Sequence, residues 1–111
     1  AALIGAHIIK VKPPTSHIEL SEAKKVYSSE NIPIDKLTDR IEHIVQSCFK
    51  GKRLVVFSGG ASKNKQGLLD EIKDLYKGGA SGSIIGRNSF QRPHKEALVL
   101  LNEVTDIYKG K

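Results

Sequence analysis

Three places in these 111 residues combine residue types able to do chemistry. The first is His7-Ile8-Ile9-Lys10-Val11-Lys12, a lysine set into a β-branched apolar run. An ammonium is costly to desolvate, so a buried apolar strand favours the neutral amine, the form that attacks a carbonyl and makes a Schiff base. The plainer alternative is an edge strand whose lysine points to water. Lys12 shares the parity of Lys10 but stands closer to Pro13-Pro14, which makes it the weaker candidate. The second place is Ser58-Gly59-Gly60-Ala61-Ser62. Glycines let backbone N–H groups approach an oxyanion, and a helix starting just afterwards adds favourable partial charge. The same residues also suit an ordinary tight turn. The third is Gly86-Arg87 after Ile84-Ile85, where the glycine opens the backbone and Arg87 offers a bidentate fork to an anion. Either loop alone is common; two consecutive copies point to a shared phosphate.

The elements that must position these residues follow from apolar spacing. Residues 7–12 read as a strand stopped abruptly by the two prolines. A polar connection follows, with a short helix over Ser21 to Tyr27. Asp35 stands as the N-cap of a second helix, whose stripe of Leu37, Ile41, Ile44, Val45, Cys48 and Phe49 closes at Gly51. Leu54 to Phe57 are apolar without alternation, as expected of a parallel strand covered on both faces. A helix from about Asn64 carries Leu68, Leu69, Ile72, Leu75 and Tyr76 and stops at Gly78-Gly79. Ser83 to Ile85 form a third strand, and Pro93 begins a last helix through Ala97, Leu98, Leu101, Val104 and Tyr108.

This order predicts an α/β fold of repeated right-handed βαβ units, with each reactive residue near the C-terminal end of its strand, where parallel α/β folds bind ligands. Three units are too few to close a barrel, and they leave two sheet edges and an apolar face uncovered. Together with the helical Ala1 to Gly5 stub, this predicts one incomplete domain over residues 1–111, the C-terminal part of something larger.

Composition narrows the function. The net charge of +6 comes from lysines spread along the chain, with no run of five and few aromatics between them. Such a surface suits phosphorylated small molecules better than nucleic acid. No apolar stretch approaches the roughly 18 residues that span a membrane, and the start lacks the charged and apolar regions of a signal peptide. The single cysteine, Cys48, excludes an internal disulfide and fits a reducing, cytoplasmic setting; it reads as a small apolar helix residue. His7, His17, His43 and His94 show no metal-ligand spacing with one another or with Cys48.

The segments GAHIIKVK, KRLVVFSGGAS, SGSIIGRNSFQRP and LLNEVTDIYKGK resemble the C-terminal part of bacterial and archaeal class I fructose-bisphosphate aldolases. These are Schiff-base (β/α)8 barrels related to the deoxyribose-phosphate aldolases. The VYSS…PID stretch resembles the bacterial branch. The resemblance implies the sixth to eighth βα units of a TIM barrel, with Lys10 as the imine-forming lysine. It implies phosphate loops at Ser58, Gly59 and Gly60 and at Gly86 and Arg87. The parent activity is then cleavage of fructose 1,6-bisphosphate to dihydroxyacetone phosphate and glyceraldehyde 3-phosphate, with no cofactor and no metal. Alternatives are a related Schiff-base barrel acting on another phosphorylated ketose, or a non-catalytic truncated product. The expected partners are a phosphorylated sugar and either the rest of the barrel or further copies of the chain, as in a homo-oligomer, with no nucleic acid and no membrane. His7 departs from the family, which carries aspartate there, and implies a packing or outer-sphere change. The family's acid/base residues lie on earlier strands, so the chain alone is expected to be inactive.

Overall fold

The computed structural model describes residues 1–111. A single 3-10 turn, Ala2–Ile4, leads into β1 (Ile8–Val11), followed by α1 (Ser21–Ser29) and α2 (Leu37–Ser47). Then come β2 (Leu54–Ser58), α3 (Lys65–Lys77), β3 (Gly82–Ile84), the one-turn α4 (Arg87–Phe90) and α5 (His94–Tyr108). The strands form one parallel sheet in the order β1-β2-β3. Lys10 pairs with Val56, and Val56 in turn with Gly82.

Parallel neighbours need a crossover, and α2 and α3 supply the two crossovers. Their apolar stripes, with that of α5, cover one face of the sheet. Ile9, Val55 and Phe57 from the strands meet Ile41, Leu68, Ile72, Leu75, Leu100 and Val104 from the helices in a single core. The approach of α2 to α3 is close enough to dictate one residue. A Cβ at Gly78 would lie 2.6 Å from the Ile41 side chain and 2.9 Å from the Thr38 carbonyl oxygen. Lys65 and Glu103 add an ion pair of 2.9 Å between α3 and α5. At the far end of α5, Tyr108 meets Ser83 of β3 at 2.6 Å, oxygen to oxygen.

The core is thin and one-sided. Only 14 of the 111 residues are buried, and the radius of gyration of 15.3 Å exceeds the roughly 13 Å of a compact globule of this size. The other face of the sheet presents Ile8, Leu54 and Ile84 to water, at 63%, 54% and 46% exposure. The continuous apolar run of β2 therefore does not mean cover on both faces within this chain: Val55 and Phe57 are buried, while Leu54 is not. Both outer sheet edges are unpaired. No helix is long and apolar enough to cross a membrane.

Some local expectations need correction. Asp35 is not the N-cap of α2; Lys36 takes that position with no side-chain capping bond. The cause is Arg40, which donates to the carbonyl oxygens of Pro14, Ile34 and Asp35 and so ties the preceding segment down through its backbone. The third strand begins and ends one residue earlier than its apolar residues suggest, because Ser81 N–H already bonds the Val55 carbonyl. Pro93 precedes α5 as its N-cap rather than opening it. The helix before Gly51 ends at Ser47, and Phe49, beyond it, is exposed with Arg53 over its ring at 5.2 Å.

Candidate functional site at the strand ends

Strand residues two apart share a face. Ile8 and Lys10 of β1 therefore stand with Leu54, Val56 and Ser58 of β2 and with Gly82 and Ile84 of β3, on the face that no helix covers. Lys10 is exposed there, level with Val56 and with a glycine that contributes no side chain. Its neighbours are apolar as the sequence suggests, but in this chain they are open to water, and β1 is an edge strand. His7 is likewise exposed, and its carbonyl accepts from Leu54 N–H at 3.1 Å.

Just above, at the C-terminal ends of the strands, lies a cleft of about 400 Å³. Lys12, Ser58, Gly59, Gly60, Lys63 and Arg87 line it, together with Glu71. The loop after β2 and the loop after β3 are joined here. Gly59 N–H donates to the Ile84 carbonyl at 2.9 Å, and the Arg87 guanidinium donates to the Gly60 carbonyl at 3.3 Å. The N–H groups of Gly60, Ala61, Ser62 and Gly86 have no partner within the chain. A Cβ at Gly60 would meet nothing within 4 Å. Glycine there is not demanded by crowding; it keeps the backbone donors accessible.

The balance of charge favours an anion. Lys12, Lys63 and Arg87 face the one carboxylate of Glu71, which is largely covered and already paired with Lys63. At the start of α3, Asn64 is a true N-cap, its side chain accepting from Gly67 N–H at 2.7 Å. Unpartnered backbone donors thus stand beside three cations, of which Lys63 is paired with Glu71, Arg87 bonds the Gly60 carbonyl and Lys12 has no partner in the chain.

Of the residues singled out in the sequence, Lys12, Ser58, Gly59, Gly60 and Arg87 come together in the cleft. Gly86 does not line it. Its carbonyl instead accepts from Ser89 and Phe90 N–H and opens the short helix α4. Lys10 lies two residues deeper than Lys12, about 6.6 Å along the strand at 3.3 Å per residue. Sequence reasoning missed α4, Lys63, Glu71 and, above all, Asn88, the only buried polar side chain. A second cleft, of about 380 Å³ between α1 and α2, is lined by residues such as Ile18, Tyr27 and Ile44 and shares none with the first. No three His, Cys, Asp or Glu side chains are grouped so as to hold a metal ion.

A family model described as DeoC/LacD family aldolase matches residues 1–92. The chain belongs to the DeoC/LacD aldolases. It is 36% identical over 118 residues to a Chlamydia muridarum protein named "Probable fructose-bisphosphate aldolase class 1", a match covering 96% of this chain and 33% of that one. A Chlamydia pneumoniae protein of the same name is also 36% identical, over 96% of this chain and 32% of its own length. A Halobacterium salinarum protein named "Fructose-bisphosphate aldolase class 1" is 32% identical over 96 residues, 86% of this chain and 28% of that one. The chain thus spans about a third of the length of the curated relatives it matches. No solved structure matches it.

Proposed function

We propose that this chain supplies the imine-forming lysine and the phosphate-binding strand ends of a class I fructose-bisphosphate aldolase, as the sixth to eighth units of a (β/α)8 barrel. The observation that carries the reading is the cleft itself. It gathers Ser58, Gly59, Gly60 and Arg87 from two successive strand ends, with Lys10 one pleat deeper on the same face. A phosphate in the cleft leaves the rest of a short sugar chain pointing down the open face toward Lys10. Lys12 lies beside the phosphate as a counter-charge, whereas Lys10 meets the carbonyl.

The chemistry follows from that placement. The Lys10 amine adds to the C2 carbonyl of fructose 1,6-bisphosphate, and water leaves to give an imine. As the C4 hydroxyl loses its proton, the C3–C4 bond breaks and its electron pair passes into the imine as an enamine. Glyceraldehyde 3-phosphate departs. Protonation at C3 and hydrolysis then release dihydroxyacetone phosphate and restore the lysine. The acid/base groups come from other strands of the complete barrel, whose remaining units, or a further copy of this chain, cover Ile8, Leu54 and Ile84.

A second reading keeps the lysine chemistry and changes the ketose, because the cleft recognises a phosphate and carries nothing that reads the remaining hydroxyls. The test uses the complete protein. It should cleave fructose 1,6-bisphosphate, and Arg87→Ala should weaken phosphorylated substrates by about 1.5–3 kcal/mol, the worth of a hydrogen bond to a charged group. Unphosphorylated carbonyl compounds should be far less affected. Equal loss for both would make Arg87 structural, and turnover of a different phosphorylated ketose in preference would select the second reading.

A further inference from the structure

Asn88 is 2% exposed, and the chemistry above gives it no part. It follows Arg87 directly, yet its side chain reaches across to the other loop. Its Oδ1 accepts from Lys63 N–H at 2.8 Å, and its Nδ2 donates to the Ala61 carbonyl at 3.2 Å. Lys63 offers a donor and Ala61 an acceptor, so only one orientation of the amide satisfies both. Arg92, one helical turn later, repeats the connection. Its Nε donates to the Asn88 carbonyl at 2.6 Å and its Nη2 to the Lys63 carbonyl at 2.7 Å. Lys63 thereby has its N–H and its C=O both held by the segment that carries Arg87.

The sheet does not need these bonds. The pairing of β2 with β3 and the bond from Gly59 N–H to Ile84 already align the strands. The added bonds act beyond the last rung of the ladder, where the free donors of residues 60–62 begin. We propose that Asn88 and Arg92 form a clasp that sets the spacing between those donors and the Arg87 guanidinium, and so tunes the cleft for a phosphate. Both are positioning residues that touch no substrate atom. The inference rests on the reading of the cleft as a phosphate site.

Its test measures inorganic phosphate as a competitive inhibitor of the complete aldolase, alongside KM for the phosphorylated ketose and borohydride trapping of unphosphorylated dihydroxyacetone. Asn88→Ala should raise both the phosphate inhibition constant and KM by about 5- to 100-fold, the scale of losing buried hydrogen bonds. Trapping of dihydroxyacetone should fall several-fold less. Asn88→Asp keeps the acceptor, loses the donor and adds a negative charge, so it should weaken phosphate at least as much as alanine. A space-filling role predicts the opposite order. Should Asn88→Ala fail to fold, Arg92→Lys, which keeps the charge and loses the fork, must show the same selective rise at smaller size. Parallel loss for phosphorylated and unphosphorylated compounds, or aspartate milder than alanine, overturns the clasp. Arg87→Ala separates the two ideas: if it weakens phosphate and Asn88→Ala does not, the clasp alone falls, and if neither does, the phosphate reading falls with it.

Discussion

The two faces of the sheet differ more than any other two regions of this molecule. On β2, Val55 and Phe57 are fully buried beneath α2, α3 and α5, while Leu54, one residue away, is half exposed. The helix-covered face is finished by the chain's own stripes. The other face carries Lys10, borders the cleft at the strand ends and has apolar residues with nothing over them. Stability and the proposed chemistry thus fall to alternate residues of the same strands, which a period of two permits.

Paired substitutions on β2 test this contrast with the largest effect. Phe57→Ala should cost about 3–5 kcal/mol in urea unfolding, the range for deleting a buried aromatic. Leu54→Ser, on the open face of the 111-residue chain, should shift stability by no more than about 0.5 kcal/mol. In sedimentation it should reduce self-association, because it removes exposed apolar surface. Similar costs for the two would mean that both faces are covered and that the asymmetry is false.

A smaller effect comes from the edge of the covered layer, where Tyr108 of α5 meets Ser83 of β3. Burial raises the Tyr108 hydroxyl above its ordinary value of 10.0, outweighing the lowering effect of its hydrogen bond to Ser83. The unfolded chain therefore loses this proton first. Stability from this group is whole below pH 10 and declines as the pH rises beyond it, since the folded state then binds more protons than the unfolded one. Tyr108→Phe should flatten that alkaline decline and cost about 0.5–1.5 kcal/mol near neutrality, for one hydrogen bond. Denaturant melts from pH 7 to 11 would show it; an unchanged alkaline slope would place Tyr108 outside the covered layer.

Much of this arrangement could be read from the chain because it rests on local periodicity. The stripe of α3 and the glycines and prolines that punctuate the chain locate the βα units within a residue or two, but on α5 the expected Leu98 and Leu101 are exposed and Leu100 is buried in their place. Asp35 misled because a cap depends on which way the backbone turns, and Arg40 holds that segment by bonding three carbonyls, one of them 26 residues away. The run Leu54 to Phe57 gives no hint that only one side is covered, since cover is a property of whatever packs there. Ser58, Gly59, Gly60 and Arg87 could be read as one end of the sheet because each ends or follows a strand; Lys12, read only as the weaker imine lysine, joins them, and Gly86 does not. Asn88 was not legible: its partners lie 25 and 27 residues away, and an asparagine after Gly-Arg looks like any loop residue.

The account turns on Lys10. Borohydride added to the complete protein with dihydroxyacetone phosphate reduces any imine to a stable amine, and peptide fragmentation then locates the added mass between Lys10 and Lys12. The account predicts the adduct on Lys10, the residue on the open face one pleat below the cleft. An adduct on Lys12, or none on this peptide, would contradict it.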